Sequence, residues 1–395
     1  MATLNTALEL NKVIAQDSMS MVYESSAIVP NVTIQPITNI GTGDQYIQLK
    51  KPVKFKGRVG SKVFSPETIK EQSVSLALVK DYGVDFQLDD AEMALSVEEI
   101  SKRYIEPASK TIAKNLDADL YKAMLAGAGS TTFGLLATQG LDKLFECGTA
   151  LRERGSMGER KFIGTPKSVE AIMKAGRVIF NDQTELAKQY KEGEAGRISG
   201  FDLYDSYRLP IANIGTLADA TMTITATEGT DILVITSTAG GTLKNAQPFT
   251  IAGVNELNEE GIDLGVLRVF RSQGDVTLGA GVPTNVQIQN KMYWTSTDSR
   301  QNLSATPVGS KAVDTLGTQG AQQGIAFTKE AFVLGCVELM IPKDTDESAV
   351  YNEQGMSIRF IRTFDAVNAI WNCRLDLKCG FVVARPEWLN GLILA

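Results

Sequence analysis

The stretch from Met356 to Arg385 constrains the fold more than any other part of the chain. Every odd position from Ala369 to Val383 is small or apolar (Ala369, Trp371, Cys373, Leu375, Leu377, Cys379, Phe381, Val383), whereas Asn372, Arg374, Asp376 and Lys378 stand between them. Side chains alternate sides along a strand, so a period of two over this length specifies one buried face and one face that is wet or covered by a neighbour. Ahead of it, Met356, Ile358 and Phe360 alternate with Ser357 and Arg359, and Asp365-Ala-Val-Asn368 has the composition of a turn. A β-hairpin is expected to close the protein.

The chain has 395 residues, 43% of them hydrophobic and 22% charged, enough for two or three domains with sizeable cores. No apolar run is long enough to span a bilayer, and the start Met1-Ala-Thr-Leu-Asn-Thr lacks the pattern of a secretory signal, so a cytoplasmic protein with no membrane partner is expected. The four cysteines (Cys147, Cys336, Cys373, Cys379) show no CxxC spacing. Cys373 and Cys379 lie six residues apart on one strand, roughly 20 Å, too far to bridge. Buried free thiols fit that pattern. There is no histidine, which removes Ser-His-Asp and Cys-His activation, HExxH zinc sites and histidine acid–base chemistry. A net charge of -7 argues against general nucleic-acid binding.

Residues 1–44 hold too little apolar surface for a core and read as an arm lying on something else. From Tyr46 the chain alternates, and Lys50, Lys51, Lys54, Lys56, Arg58 and Lys62 fall in a span with no acid between Asp44 and Glu67. Val74, Leu76 and Leu78 mark a returning strand. This predicts a long hairpin over 45–90, with Gly57 and Gly60 near its tip, either as a solvated edge or as an arm that packs on a partner. Ser96-Val-Glu-Glu99 is a capping box, and Val97, Ile100, Tyr104, Ala108, Ile112, Leu116, Leu120 and Met124 follow at helical spacing, with Pro107 predicting a kink. Leu141, Leu144, Phe145, Gly148 and Leu151 outline a second helix. Lys161-Phe-Ile-Gly forms a short strand, and Thr165-Pro166 opens a third helix. Residues 215–318 change texture to Thr, Gly, Val, Ile and Asn with short strands, which predicts an inserted all-β domain before mixed patterning resumes at Ile325.

No pattern for catalysis stands out. Gly41-Thr-Gly43 and Gly279-Ala-Gly281 lack the setting of a dinucleotide fold, no GK[ST] occurs, and Gly155-Ser156-Met-Gly158 does not match GxSxG. Asn255 to Asp263 is the densest acidic stretch, but its spacing fails the EF-hand pattern. Glu256, Glu259 and Glu260 read instead as a solvated loop or one that meets a basic neighbour. No cofactor or metal is expected, and no enzymatic activity; a histidine-free hydrolase or lyase using Asp and Lys is the alternative of another class.

Gly355-Met-Ser-Ile-Arg-Phe-Ile-Arg-Thr-Phe-Asp365, Arg374-Leu-Asp376, Cys379-Gly-Phe381 and Ala384-Arg-Pro386-Glu387 resemble the end of tailed-bacteriophage major capsid proteins. The resemblance implies an α+β fold of the Hong Kong 97 type across nearly the whole chain. Its parts would be an N-terminal arm (1–44), an extended loop (45–90), a peripheral domain with a long spine helix (91–135 and 346–395), an axial α/β domain (136–214 and 319–345) and the inserted β-domain (215–318). Phe249-Thr-Ile-Ala-Gly-Val254 is similar to the insertion in coat proteins of the Salmonella phage P22 type. The implied function is structural: self-assembly through pentamers and hexamers into an icosahedral shell, with a scaffolding protein and a portal protein as partners and packaged double-stranded DNA held without sequence-specific binding. The implied location is the virion, after assembly in the host cytoplasm. A cellular nanocompartment shell of the encapsulin kind is the alternative with the same fold. Intersubunit contacts are expected at Lys50, Lys51, Lys54, Lys56, Arg58, Lys62, Glu256, Glu259, Glu260, Arg359, Arg362, Arg374 and Asp376.

Overall fold

A computed structural model describes residues 2–37, 46–53, 55, 69–89, 97–179, 197–258, 260–296, 298–341, 347–365 and 367–395. The predicted cap at Ser96, the glycines Gly41, Gly43, Gly57 and Gly60, and the candidate residues Lys54, Lys56, Arg58, Lys62 and Glu259 lie outside them. The chain divides into two compact units: residues 1–49, 74–120 and 332–382 in one, and 50–73, 121–331 and 383–395 in the other.

The first unit is organised by the closing hairpin, as its alternation requires. Met356–Asp365 and Ile370–Val383 pair antiparallel, with Arg359 opposite Asp376 and Phe360 opposite Leu375. At the turn, Asp365 accepts from the backbone N–H of Val367 and the side chain of Asn368. Cys373, Leu375, Leu377 and Cys379 are buried. The full sheet runs Thr33–Ile37, Phe332–Val337, Ile370–Val383, Met356–Asp365, Glu347–Glu353, and Lys80–Asp89 also pairs with Ile370–Val383 over ten residues. Residues 80–89, expected in the extended loop, are thus a strand of this sheet.

The N-terminal segment lies on its own chain. One helix, Ala2–Ser25, packs on Glu347–Glu353 and Met356–Asp365 and buries Ile14, Ala15, Met19 and Val22. Thr33–Ile37 then joins the sheet edge in parallel with Phe332–Val337. Between them, the Ser26 hydroxyl donates to the buried Asp117 and accepts from the N–H groups of Ile28 and Val29. An apolar helix stripe without a core of its own found its cover within the subunit.

Ahead of the spine helix Glu106–Gly127, the proline has a specific consequence. Residues 101–105 form a wide π turn in which the Glu106 N–H donates to the Ser101 carbonyl, five residues back. Pro107 has no N–H to cap the Arg103 carbonyl and its ring needs room, so the helix adds a residue to the turn there. Beyond it Ile112, Leu116, Leu120 and Met124 are buried at the predicted spacing.

The second unit contains a six-stranded α/β sheet in the order Ser130–Gly134, Leu389–Leu394, Gln322–Thr328, Arg160–Gly164, Phe201–Asp205, Arg197–Ile198. Helices Gly140–Glu153 and Pro166–Ile179 cover it through Leu141, Leu144, Cys147, Leu151, Val169 and Ile172. Thr165 caps the second helix, accepting from the Ser168 N–H, with proline at the first helical position. The terminal strand Leu389–Leu394 lies in this sheet, between Ser130–Gly134 and Gln322–Thr328, although residues 346–395 were expected together in the peripheral part.

In the same unit a second six-stranded sheet runs Asp263–Arg271, Pro248–Leu257, Gly309–Thr315, Ala220–Ala226, Ile232–Thr236, Thr284–Gln287. Its strands pair with one another over a core that includes Met222, Ile224, Leu233, Ile235, Phe249, Ile251, Phe270 and Val313. The all-β texture predicted for 215–318 corresponds to this sheet.

Candidate assembly surfaces

Cross-strand charge pairing occupies the polar side of the closing strands. Arg359 donates to Asp376 Oδ2 at 2.6 Å and Arg374 to Asp376 Oδ1 at 2.6 Å. Arg374 also stands 3.7 Å from Asp85, directly opposite on Lys80–Asp89, and Lys378 stands 3.4 Å from Asp81 in the same ladder. Opposite charges facing across strands each contribute roughly 0.2–1 kcal/mol and fix register. Asp376 is buried between its two arginines, and Arg359 is mostly covered, its second arm on the Met340 carbonyl. Arg362 is buried, its guanidinium 4.7 Å from the centre of the Trp371 ring, and burial pushes its pKa down. Of the four hairpin residues expected at contacts, Arg374 is the exposed one, its pKa raised by the Asp376 hydrogen bond.

The acidic stretch splits in the same way. Glu256 is 1% exposed: Arg154 Nη2 reaches Oε2 at 2.6 Å and Arg268 Nη1 reaches Oε1 at 2.6 Å. Burial pushes the carboxyl upward, but the charges and hydrogen bonds of the two arginines outweigh it, and the net pKa is lowered. A register shift between Thr250 and Asn255, with Gly253 at φ +73°, re-aims the strand so that Val254 and Glu256 face inward. Glu256 therefore ties Gly140–Glu153 and its following turn to the β-sheet inside the subunit. Glu260 is exposed on the hairpin tip, where Asn258 accepts from the N–H groups of Glu260 and Ile262.

A third arginine, Arg271, links Asp263–Arg271 to Ser130–Gly134 through Thr131. Arg271 is fully buried, and its arms go to neutral oxygens, Ala246 O at 2.8 Å and Thr131 Oγ1 at 2.7 Å. Burial without a carboxylate partner pushes its pKa down to about 10. A Cβ at Gly391 would stand 2.4 Å from its Nη2, so any larger residue there would push the buried guanidinium out of place. The sequence carried a signal for these residues: Leu267-Arg-Val-Phe-Arg271 interleaves two arginines with apolar residues, so the arginines needed internal partners.

At the base of the basic hairpin, Tyr46–Lys51 and Gln72–Ala77 pair, burying Leu76. Lys50 meets Glu71 at 2.9 Å with both side chains mostly exposed, and Lys51 is half-buried. Lys70, absent from the expected set, meets Asp298 at 2.9 Å. On the spine helix and its preceding turn, Lys102, Arg103, Lys110 and Lys114 are exposed on one face.

Among the described residues no three Cys, Asp or Glu side chains stand together as a metal set. All four thiols are buried; burial pushes Cys147 up to about 12 and Cys373 up to about 11, which keeps these two protonated. No helix of the described residues is long and apolar enough to cross a membrane.

The family model described as P22 coat protein, gene protein 5, matches residues 66–393. No curated protein matches the sequence. Among solved structures, the chain is similar to one from Mycobacterium phage Che8 at 11% identity, with a TM-score of 0.46, covering 89% of this chain and 85% of that one. It is similar to the capsid structure of the cyanophage P-SCSP1u at 12% identity and TM-score 0.46, covering 92% and 86%. It is also similar to the mature capsid of bacteriophage PhiM1 at 11% identity and TM-score 0.45, covering 94% and 87%. With the family model spanning far more than half of the sequence, this chain belongs to the P22 coat protein family of tailed-phage major capsid proteins, with an α+β fold of the Hong Kong 97 type.

Proposed function

We propose that this protein is the subunit of a phage head that assembles with copies of itself, through pentamers and hexamers, into an icosahedral shell enclosing double-stranded DNA. The observation that carries the reading is the family match over residues 66–393. A scaffolding protein and a portal are its partners during assembly in the host cytoplasm. The DNA is held without sequence-specific contacts, in keeping with a net charge of -7. The sheet spanning residues 220–315 acts as an inserted β-domain, and the basic hairpin acts as the extended loop reaching a neighbouring subunit. Intersubunit contacts fall to the exposed or half-buried members of the expected set, Lys50, Lys51, Glu260 and Arg374, together with Lys54, Lys56, Arg58, Lys62 and Glu259. Sedimentation and electron microscopy of the protein expressed with its scaffolding protein test this, with closed shells or capsomer rings as the expected result. A species that stays monomeric at high concentration refutes it, and shells filled with a protein cargo in place of DNA point to a nanocompartment.

A further inference from the structure

The carboxylate that receives Lys70 is also held by contacts that do not involve the lysine. Asp298 has a side chain only 9% exposed and accepts four hydrogen bonds. Three come from Arg300: Nη2 to Oδ2 at 2.8 Å, Nε to Oδ1 at 3.1 Å, and the backbone N–H to Oδ1 at 2.9 Å. Lys70 Nζ supplies the fourth, to Oδ2 at 2.9 Å. Arg300 is itself held, with its guanidinium carbon 4.3 Å from the centre of the Tyr293 ring and Nη1 3.4 Å from the Tyr293 hydroxyl. Glu228 braces the same turn, accepting from the N–H groups of Trp294 and Thr295 and the Thr295 hydroxyl at 2.6–2.9 Å.

Charge makes this receptor specific. Among the described residues of the cluster, Glu228 and Asp298 carry two negative charges and Arg300 one positive, and Lys70 supplies the balancing cation. The Arg300 hydrogen bonds hold the Asp298 carboxyl well below the usual carboxylate range, so it stays ionised. Lys70 and Glu71 lead directly into the returning strand Gln72–Ala77, and they engage different partners: Lys70 meets Asp298, and Glu71 meets Lys50 on the outgoing strand Tyr46–Lys51. One pair closes the neck of the hairpin, and the other ties that neck to the turn at 293–300.

We propose that Asp298, preset by Arg300, anchors the base of the extended loop through Lys70 and so fixes the direction in which the loop is offered to a neighbouring subunit. Lys70 and Asp298 are positioning residues for assembly. This rests on the shell-subunit reading, because without a neighbour to reach the anchor has nothing to aim. An exposed ion pair contributes little, but here one partner is already desolvated and fixed, so ordering costs fall mainly on the lysine.

The full-length protein carrying Lys70→Met tests this, with Lys70→Arg as the conservative control. Three quantities are measured: the melting temperature, amide hydrogen exchange of residues 69–77 in the unassembled subunit, and the rate of shell formation with scaffolding protein followed by light scattering. For Lys70→Met the melting temperature should stay near that of the parent. Exchange over 69–77 should quicken at least tenfold, and shell formation should slow at least tenfold or give open and tubular products. Lys70→Arg should restore both. Unchanged exchange in Lys70→Met overturns the anchor, and faster exchange with a parental rate of shell formation overturns its role in aiming the loop. Should the parent itself form no shells, the shell-subunit reading fails, while the exchange measurement still decides the anchor.

Discussion

Replacing Glu256 with glutamine should be among the most damaging isosteric changes in this protein. The substitution keeps the shape and removes one negative charge between Arg154 and Arg268, which are themselves 6% and 4% exposed. The remaining carbonyl oxygen can accept from one guanidinium, while the new amide turns donors toward the other. Breaking a buried ion pair by removing one partner costs about 3–5 kcal/mol, since it leaves an uncompensated buried charge. Against a total stability of roughly 5–15 kcal/mol, that is a large fraction. Acid should act in the same direction. The folded-state pKa of Glu256 lies below its ordinary value of 4.5, so the stability it contributes is complete above that value and drains as pH falls through the depressed folded pKa. A built-in probe exists: Trp388 donates its indole N–H to the Arg154 carbonyl at 3.2 Å and is 8% exposed. Urea unfolding followed by tryptophan fluorescence at neutral pH should show the midpoint of Glu256→Gln falling sharply, and the difference from the parent shrinking toward acid pH. A loss below about 1 kcal/mol, the scale of a surface pair, would refute the claim that this trio holds the joint.

Gly391→Ala should cost about 1–3 kcal/mol, because the added carbon overlaps Arg271 Nη2 in a site where that arginine has no wet alternative; thermal unfolding checks it. Cys147, Cys373 and Cys379, all pushed up by their surroundings, should resist iodoacetamide at neutral pH in the folded protein and react only in denaturant, read as mass increments; rapid labelling of the native protein would contradict their burial. Reversal of Lys54, Lys56 and Arg58 to glutamate should leave the subunit's melting temperature nearly unchanged while impairing shell formation, most severely at low salt where charge screening is weak. Normal assembly across salt concentrations would make the hairpin a solvated edge only.

Legibility in the sequence followed a physical line between local and distant causes. Cys373, Leu375, Leu377 and Cys379 were readable as one buried face because alternation is a property of the strand itself, and Ile112, Leu116 and Leu120 were readable as a helix stripe for the same reason. The all-β texture of residues 215–318 and the cap at Thr165 also rest on neighbours in sequence. Asp376 was placed on the wet face by the same rule, yet it is buried, because Arg359 on the partner strand and Arg374 two residues earlier neutralise it there. Residues 80–89 looked like part of a loop until the ladder with Ile370–Cys379 made them a strand of the sheet.

The candidate contacts show the same division more sharply. The sequence alone determined that the protein alternates strand and helix in a capsid-like order, carries a basic hairpin and an acidic stretch, and contains no histidine for catalysis. Only the tertiary structure decided which charges face outward. Glu256 and Glu260 stand four residues apart in one acidic run, and one is buried between two arginines while the other is exposed on a hairpin tip. The partners that make the difference, Arg154 for Glu256 and Asp298 for Lys70, lie 102 and 228 residues away along the chain. Periodicity reports what a segment does with its own backbone; the fate of a charge depends on which distant surface the fold brings against it, because desolvation is tolerated only where an opposite charge already waits.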